Sequence, residues 1–71
     1  MQKVLTKKEI GKKIQELRHQ NHLSQPEAAN IFNVSLSTYV KWENGLRIIR
    51  DEHKVAIANF YNQTVQEVFY E

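Results

Sequence analysis

Leu23-Ser24-Gln25-Pro26-Glu27-Ala28-Ala29-Asn30-Ile31-Phe32-Asn33-Val34-Ser35-Leu36-Ser37-Thr38-Tyr39-Val40-Lys41-Trp42-Glu43-Asn44-Gly45 is the stretch on which the fold turns. Two helix starts and two helix stops are written into it. Ser24-Gln25-Pro26-Glu27 has the hydroxyl-to-carboxylate spacing of a capping box, and Pro26 is harmless there because a first-turn amide has no intrahelical partner to lose. Asn33, after Ile31-Phe32, is the residue that best tolerates left-handed backbone after glycine, so the helix stops there. Ser35 is a good N-cap for a second helix over residues 35–43, with Tyr39 placed to staple back onto Val34. Asn44-Gly45 supplies a positive-φ stop. Two short helices separated by a three-residue turn cross steeply, and a tight crossing needs a small residue in the first helix, which Ala29 provides. Phe32, Val34, Tyr39 and Trp42 are spaced to fill the wedge between them.

Outward from this stretch the same signals recur. Thr6-Lys7-Lys8-Glu9 is a capping box flanked by Leu5 and Ile10 as a hydrophobic staple, so a helix begins at Thr6 and ends near Asn21. Ile10, Ile14 and Leu17 share its apolar face, while Lys12, Lys13, Glu16 and Arg18 point elsewhere. Leu46 to Arg50 is a connecting loop. Asp51 is placed to cap a fourth helix whose face is Val55, Ala58 and Tyr61 with Ile57 beside it, and Asn62-Gln63 ends it. Thr64-Val65-Gln66-Glu67 is a third capping box and opens a last short helix that carries Val68 and Phe69 inward. No strand pattern, repeat or low-complexity stretch interrupts the series.

The chain has 71 residues, 41% of them hydrophobic, which suits one domain with one modest core over residues 1–71. Without cysteine there is neither disulfide nor thiolate metal site to staple it, so helix packing must carry the fold. No apolar run approaches a membrane span, and Met1-Gln2-Lys3-Val4-Leu5 leads into charges instead of a signal segment, so a cytoplasmic protein is expected. The net charge of +2 is unevenly spread. Residues 1–20 hold six basic and two acidic side chains, and residues 51–71 one and four, so the first half can face an anion.

The stretch from Leu23 to Gly45 resembles the Cro/CI-type (XRE) helix-turn-helix family, with the motif at about residues 24–45. The helix order before and after it, including Asn62-Gln63-Thr64-Val65-Gln66-Glu67-Val68-Phe69, extends the likeness over nearly the whole chain. Ala28 stands where the family usually has Leu and Tyr39 where it has Ile or Val, an exchange of volume across one contact. Asn33 replaces the usual turn glycine, and the loop after Gly45 lacks the usual proline. The resemblance implies an all-α, compact five-helix, lambda-repressor-like DNA-binding domain. It also implies roles for residues. Gln25 and Ser35 would hold phosphates, Leu36, Ser37 and Lys41 would face base edges in the major groove, and Asn44, Arg47 and Arg50 would grip the backbone beyond the helix. Double-stranded operator DNA is the implied partner, with a homodimer on paired half-sites. Small free-standing domains of this family look like the switch regulators of temperate bacteriophages, or the antidote halves of toxin modules.

Other assignments compete for the same residues. Leu36 and Val40 on the outward face of the recognition helix, with Leu46, Ile48 and Ile49 in the loop beside it, form an apolar patch where a DNA binder normally shows polar groups. That patch fits a modulator that seizes a companion phage or bacterial repressor. Trp42 has the chemistry of a stacking platform but the helical position of a core residue. His19, His22 and His53 lack the spacing of metal ligands and read as surface residues, and the lysines at 7, 8, 12 and 13 read as the wet side of the first helix. No nucleophile elbow, phosphate-cradling glycine loop or metal spacing is present, so neither an enzyme nor a cofactor is expected.

Overall fold

In a computed structural model that describes residues 4–70, each of the three capping boxes closes. Lys3 and Glu71, which enter the charge pattern, and the Met1 to Lys3 start lie outside the described residues. Thr6, Ser24 and Thr64 each accept the amide of the glutamate three residues on, and Glu9, Glu27 and Glu67 each accept the cap residue's own amide. Those amide bonds hold the Glu27 and Glu67 carboxyls below the usual carboxylate range. Ser35 caps without a box, because position N3 is Thr38 and not a glutamate.

The helices that follow are α1 (Lys7–Gln20), α2 (Gln25–Ile31), α3 (Leu36–Glu43), α4 (Asp51–Phe60) and α5 (Val65–Phe69). Asn33 (φ 58°), Gly45 (φ 71°) and Asn62 (φ 56°) take the left-handed conformation that stops α2, α3 and α4. His22 (φ 56°) does the same after α1, at a position whose side chain gives no warning of it. The one pairing of extended backbone among the described residues is an isolated antiparallel bridge, Val4 to Tyr70, which the sequence pattern does not announce.

The core is built from Ile14 and Leu17 of α1, Ala28 and Ala29 of α2, Tyr39 and Trp42 of α3, Ile57 and Ala58 of α4, and Val68 and Phe69 of α5. Phe32, Ile49 and Tyr61 close it from the turns. Ala28 and Tyr39, the small and the large residue at the two unusual positions, are both fully buried, so the exchanged volume is accommodated.

Three expectations need correction. Arg50, not Asp51, is the N-cap of α4, and its side chain makes no capping bond. Val55 is 49% exposed instead of sharing the buried face. The inner positions of α4 run 54, 57, 58 and 61, and the stem of Lys54 takes the inward slot with its ammonium 5.7 Å from the Phe69 ring centre and 5.5 Å from that of Tyr70. Arg18, expected to point outward, is buried. Gly11 is buried as well, and a Cβ there would fall 2.6 Å from the Trp42 carbonyl oxygen and closer still to that of Glu43. The absent side chain is what lets α1 lie directly on the end of α3.

Candidate nucleic-acid interface

The geometry of the α2–turn–α3 unit starts at Asn33. Its left-handed backbone lets the Val34 amide reach back 3.0 Å to the Ala29 carbonyl, which swings the chain into α3. The wedge then fills with rings. Phe32 stacks on Tyr39 at 6.4 Å between centroids, and Tyr39 meets Trp42 edge-on at 6.0 Å. Trp42 is therefore a buried strut of α3 and not an exposed stacking platform.

A second anchor is ionic. Glu43, the last residue of α3, is buried and takes Nε of Arg18 at 2.7 Å and a terminal guanidinium nitrogen at 3.1 Å. The remaining donors are shared out across the fold. Arg18 also donates to the Leu23 carbonyl at 2.9 Å, and the Gln25 amide donates to Glu43 Oε1 at 3.1 Å. One carboxylate thus ties α1, α2 and α3 together. Burial pushes the Glu43 carboxyl upward, but the bonds from Arg18 and Gln25 outweigh it and leave the group below its usual range. Burial first, and the nearby Glu43 carboxylate second, raise the Tyr39 hydroxyl far above its ordinary value, and burial pushes Tyr61 up to about 12. Neither hydroxyl closes a hydrogen bond among the described residues.

With its inner side fixed in this way, α3 leaves Leu36 (46% exposed), Ser37 and Lys41 exposed. Ser35 and Asn44 are exposed at its two caps, and Arg47 and Arg50 are exposed in the loop that follows. Gln25 differs. It is half-buried and its amide is engaged by Glu43, so what it presents outward is its position at the start of α2, not a free side chain.

The apolar patch is divided. Leu46 and Ile48 are 70% and 68% exposed, and Val40 is half-buried. Ile49, at 5%, leaves the patch altogether, because it joins the buried core just before α4 begins. The lysines at 7, 8 and 12 are exposed, and Lys13 is half-buried and donates to the Glu67 carbonyl. His19 and His22 lie on the surface, whereas His53 is half-buried with its ring 5.1 Å from that of Trp42. Among the described residues no group of three or more His, Asp or Glu side chains is placed to hold a metal ion, and no helix is long and apolar enough to cross a membrane.

A family model described as helix-turn-helix matches residues 14–68. None of the curated proteins matches the chain in sequence. Among solved structures, the chain is similar to the clp gene regulator ClgR from Corynebacterium glutamicum, with a TM-score of 0.81 at 19% identity over 90% of this chain and 68% of that one. It is similar to the restriction-modification controller protein C.AhdI from Aeromonas hydrophila, with a TM-score of 0.80 at 24% identity over 89% and 96%. Hydroxypropylphosphonic acid epoxidase from S. wedmorenis carries the same arrangement in 34% of its length, with a TM-score of 0.80 at 15% identity over 90% of this chain. At these identities the likeness is one of fold, and the fold alone does not fix the chemistry.

Proposed function

Because the chain belongs to the helix-turn-helix family HTH_3, we propose that it is a non-enzymatic transcriptional regulator that binds double-stranded DNA with α3 in the major groove. One observation carries this. Ser37 and Lys41, four residues apart on α3, stand exposed beside Leu36 on a helix whose other side is pinned by Tyr39, Trp42 and the Glu43–Arg18 pair. A helix held rigidly with a short polar and cationic row facing outward fits base-edge contact. Lys41 donates to guanine O6 or N7, Ser37 to several bases, and Leu36 rests on a thymine methyl. Ser35, Asn44, Arg47 and Arg50 supply the phosphate contacts on either side, with Gln25 adding its place at the start of α2. In this reading residues 1–71 form a single regulatory domain, paired as a homodimer on half-sites about one helical turn apart, in the cytoplasm of a bacterial cell.

The exposure of Leu46 and Ile48 favours a second reading, in which a switch regulator of temperate-phage type uses Leu36, Val40, Leu46 and Ile48 to hold a companion repressor. A mobility-shift titration on the intergenic DNA beside the gene, with and without the neighbouring repressor, separates the two. A shift by this chain alone, with a footprint of paired half-sites, supports direct DNA binding. A shift only with the companion present, or abolition of the companion's own shift, overturns it in favour of the second.

A further inference from the structure

The first turn of α4 carries His53, whose ring is tilted 56° against that of Trp42 and is therefore held in place by packing. The ring opens onto a cleft of about 250 Å³ between the start of α3 and the start of α4, which Ser35, Thr38, Arg47 and Arg50 also line. No carboxylate lines this cleft. Among the described residues neither arginine enters an ion pair.

The hydroxyls point the same way. Ser35 Oγ accepts the Thr38 amide at 3.1 Å and lies 3.0 Å from Thr38 Oγ1. The two hydroxyls share one hydrogen bond, so whichever of them donates, the other keeps an O–H proton for an outside acceptor. Two guanidinium groups, an imidazole and a spare hydroxyl proton around one acid-free hollow make a receptor for a tetrahedral oxyanion.

We propose that this cleft seats one phosphate of the DNA backbone, and that His53 is its third cationic ligand, taking up a proton as DNA binds. The proposal rests on the DNA-binding reading above and adds to it a proton-linked affinity. The charged groups around the imidazole leave this linkage intact. Arg47 and Arg50 share the cleft, Glu43 of α3 is held by Arg18 and Gln25, and Lys41 is exposed on α3. On α4 itself, Asp51 is exposed and lies 3.9 Å from Lys54, and Glu52 is exposed too. A phosphate in the cleft favours the charged imidazole, so affinity is greatest at the acid end of the histidine range and falls as pH rises through it.

The test is fluorescence anisotropy with a labelled DNA duplex in about 0.1 M salt, from about pH 8 down to about pH 5.5. The wild-type chain is expected to gain about tenfold in affinity over that span. His53→Gln should stay at the high-pH value throughout, and His19→Gln, on the exposed side of α1, should keep the wild-type slope. A His53→Gln chain that is folded by circular dichroism and retains the wild-type slope overturns the proposal. If the wild-type chain binds no duplex at any pH, the DNA-binding reading falls, and inorganic pyrophosphate then judges the cleft by NMR. A saturable displacement of the His53 ring resonance, lost in Arg50→Ala, supports a phosphate site, and an unmoved ring removes it.

Discussion

Replacing Arg18 with methionine strips the guanidinium from Glu43 while keeping most of the stem's volume. The Glu43 side chain is 1% exposed and that of Arg18 9%, so the carboxylate is left buried with only Gln25 as a donor. An uncompensated buried charge of this kind costs about 3–5 kcal/mol. A 71-residue domain holds about 4–10 kcal/mol in all. The single replacement therefore removes about half or more of the stability, and urea unfolding followed by the fluorescence of Trp42, the one tryptophan, should show the midpoint falling by about 3–5 M at an m-value of about 1 kcal/mol per M. The double replacement Arg18→Met with Glu43→Leu removes both charges and should recover to within about 1 kcal/mol of wild type. The dependence on pH runs in opposite directions in the two charged forms. In the wild-type chain the Glu43 carboxyl is depressed below 4.5, so its contribution is complete above that pH and is lost as pH falls through the folded-state value. In Arg18→Met the buried carboxyl is raised, so acid relieves it. The gap between the two proteins should narrow from about pH 6 to about pH 3. A single replacement costing under about 1 kcal/mol, or a gap that widens in acid, would refute the assignment of Glu43 as a buried charge held by Arg18.

Three further outcomes are expected. Lys41→Ala should reduce discrimination between operator and mismatched DNA by about 1–3 kcal/mol in competition binding, while leaving affinity for random duplex nearly unchanged. Arg47→Ala should weaken operator and random duplex alike and reduce the slope of log affinity against log salt by about 1, as loss of one phosphate contact requires. Gly11→Ala forces a methyl group against the Trp42 and Glu43 carbonyls and should cost about 1–3 kcal/mol in thermal or urea unfolding, where an alanine in an open helix would stabilise.

What could be read from the residues and what could not divides by distance along the chain. The caps at Thr6, Ser24, Ser35 and Thr64 and the stops at Asn33, Gly45 and Asn62 are local chemistry, and each sits where its neighbours in sequence place it. The wedge of Phe32, Tyr39 and Trp42 is nearly local and was equally legible. Arg18 and Glu43 are 25 residues apart, and each taken alone looks like a solvated charge, so nothing in either segment signals the pair. Gly11 looks like a weak spot in a helix until α3 is laid across it. The errors at Ile49 and Val55 share one cause. The loop from Leu46 to Arg50 contains no turn residue that fixes the phase of α4, and packing against distant elements, with Ile57, Ala58 and Tyr61 in the core and Lys54 beside Phe69 and Tyr70, decides which side faces in. His53 belongs with these, since its neighbours in the cleft come from α3 and the loop and not from its own helix.

At Gly11 main chain lies against main chain, so at this point of the α1–α3 contact there is no side chain to be swapped for a larger or smaller neighbour. The closest approach of α3 to α1 is therefore set there by peptide geometry, which mutation cannot tune in small steps. Exposed residues such as Ser37 and Lys41 can drift without touching that contact, while the helix that bears them keeps its place. Under the DNA-binding proposal, a lineage built on this contact can acquire new targets one side chain at a time, without rebuilding the scaffold for each.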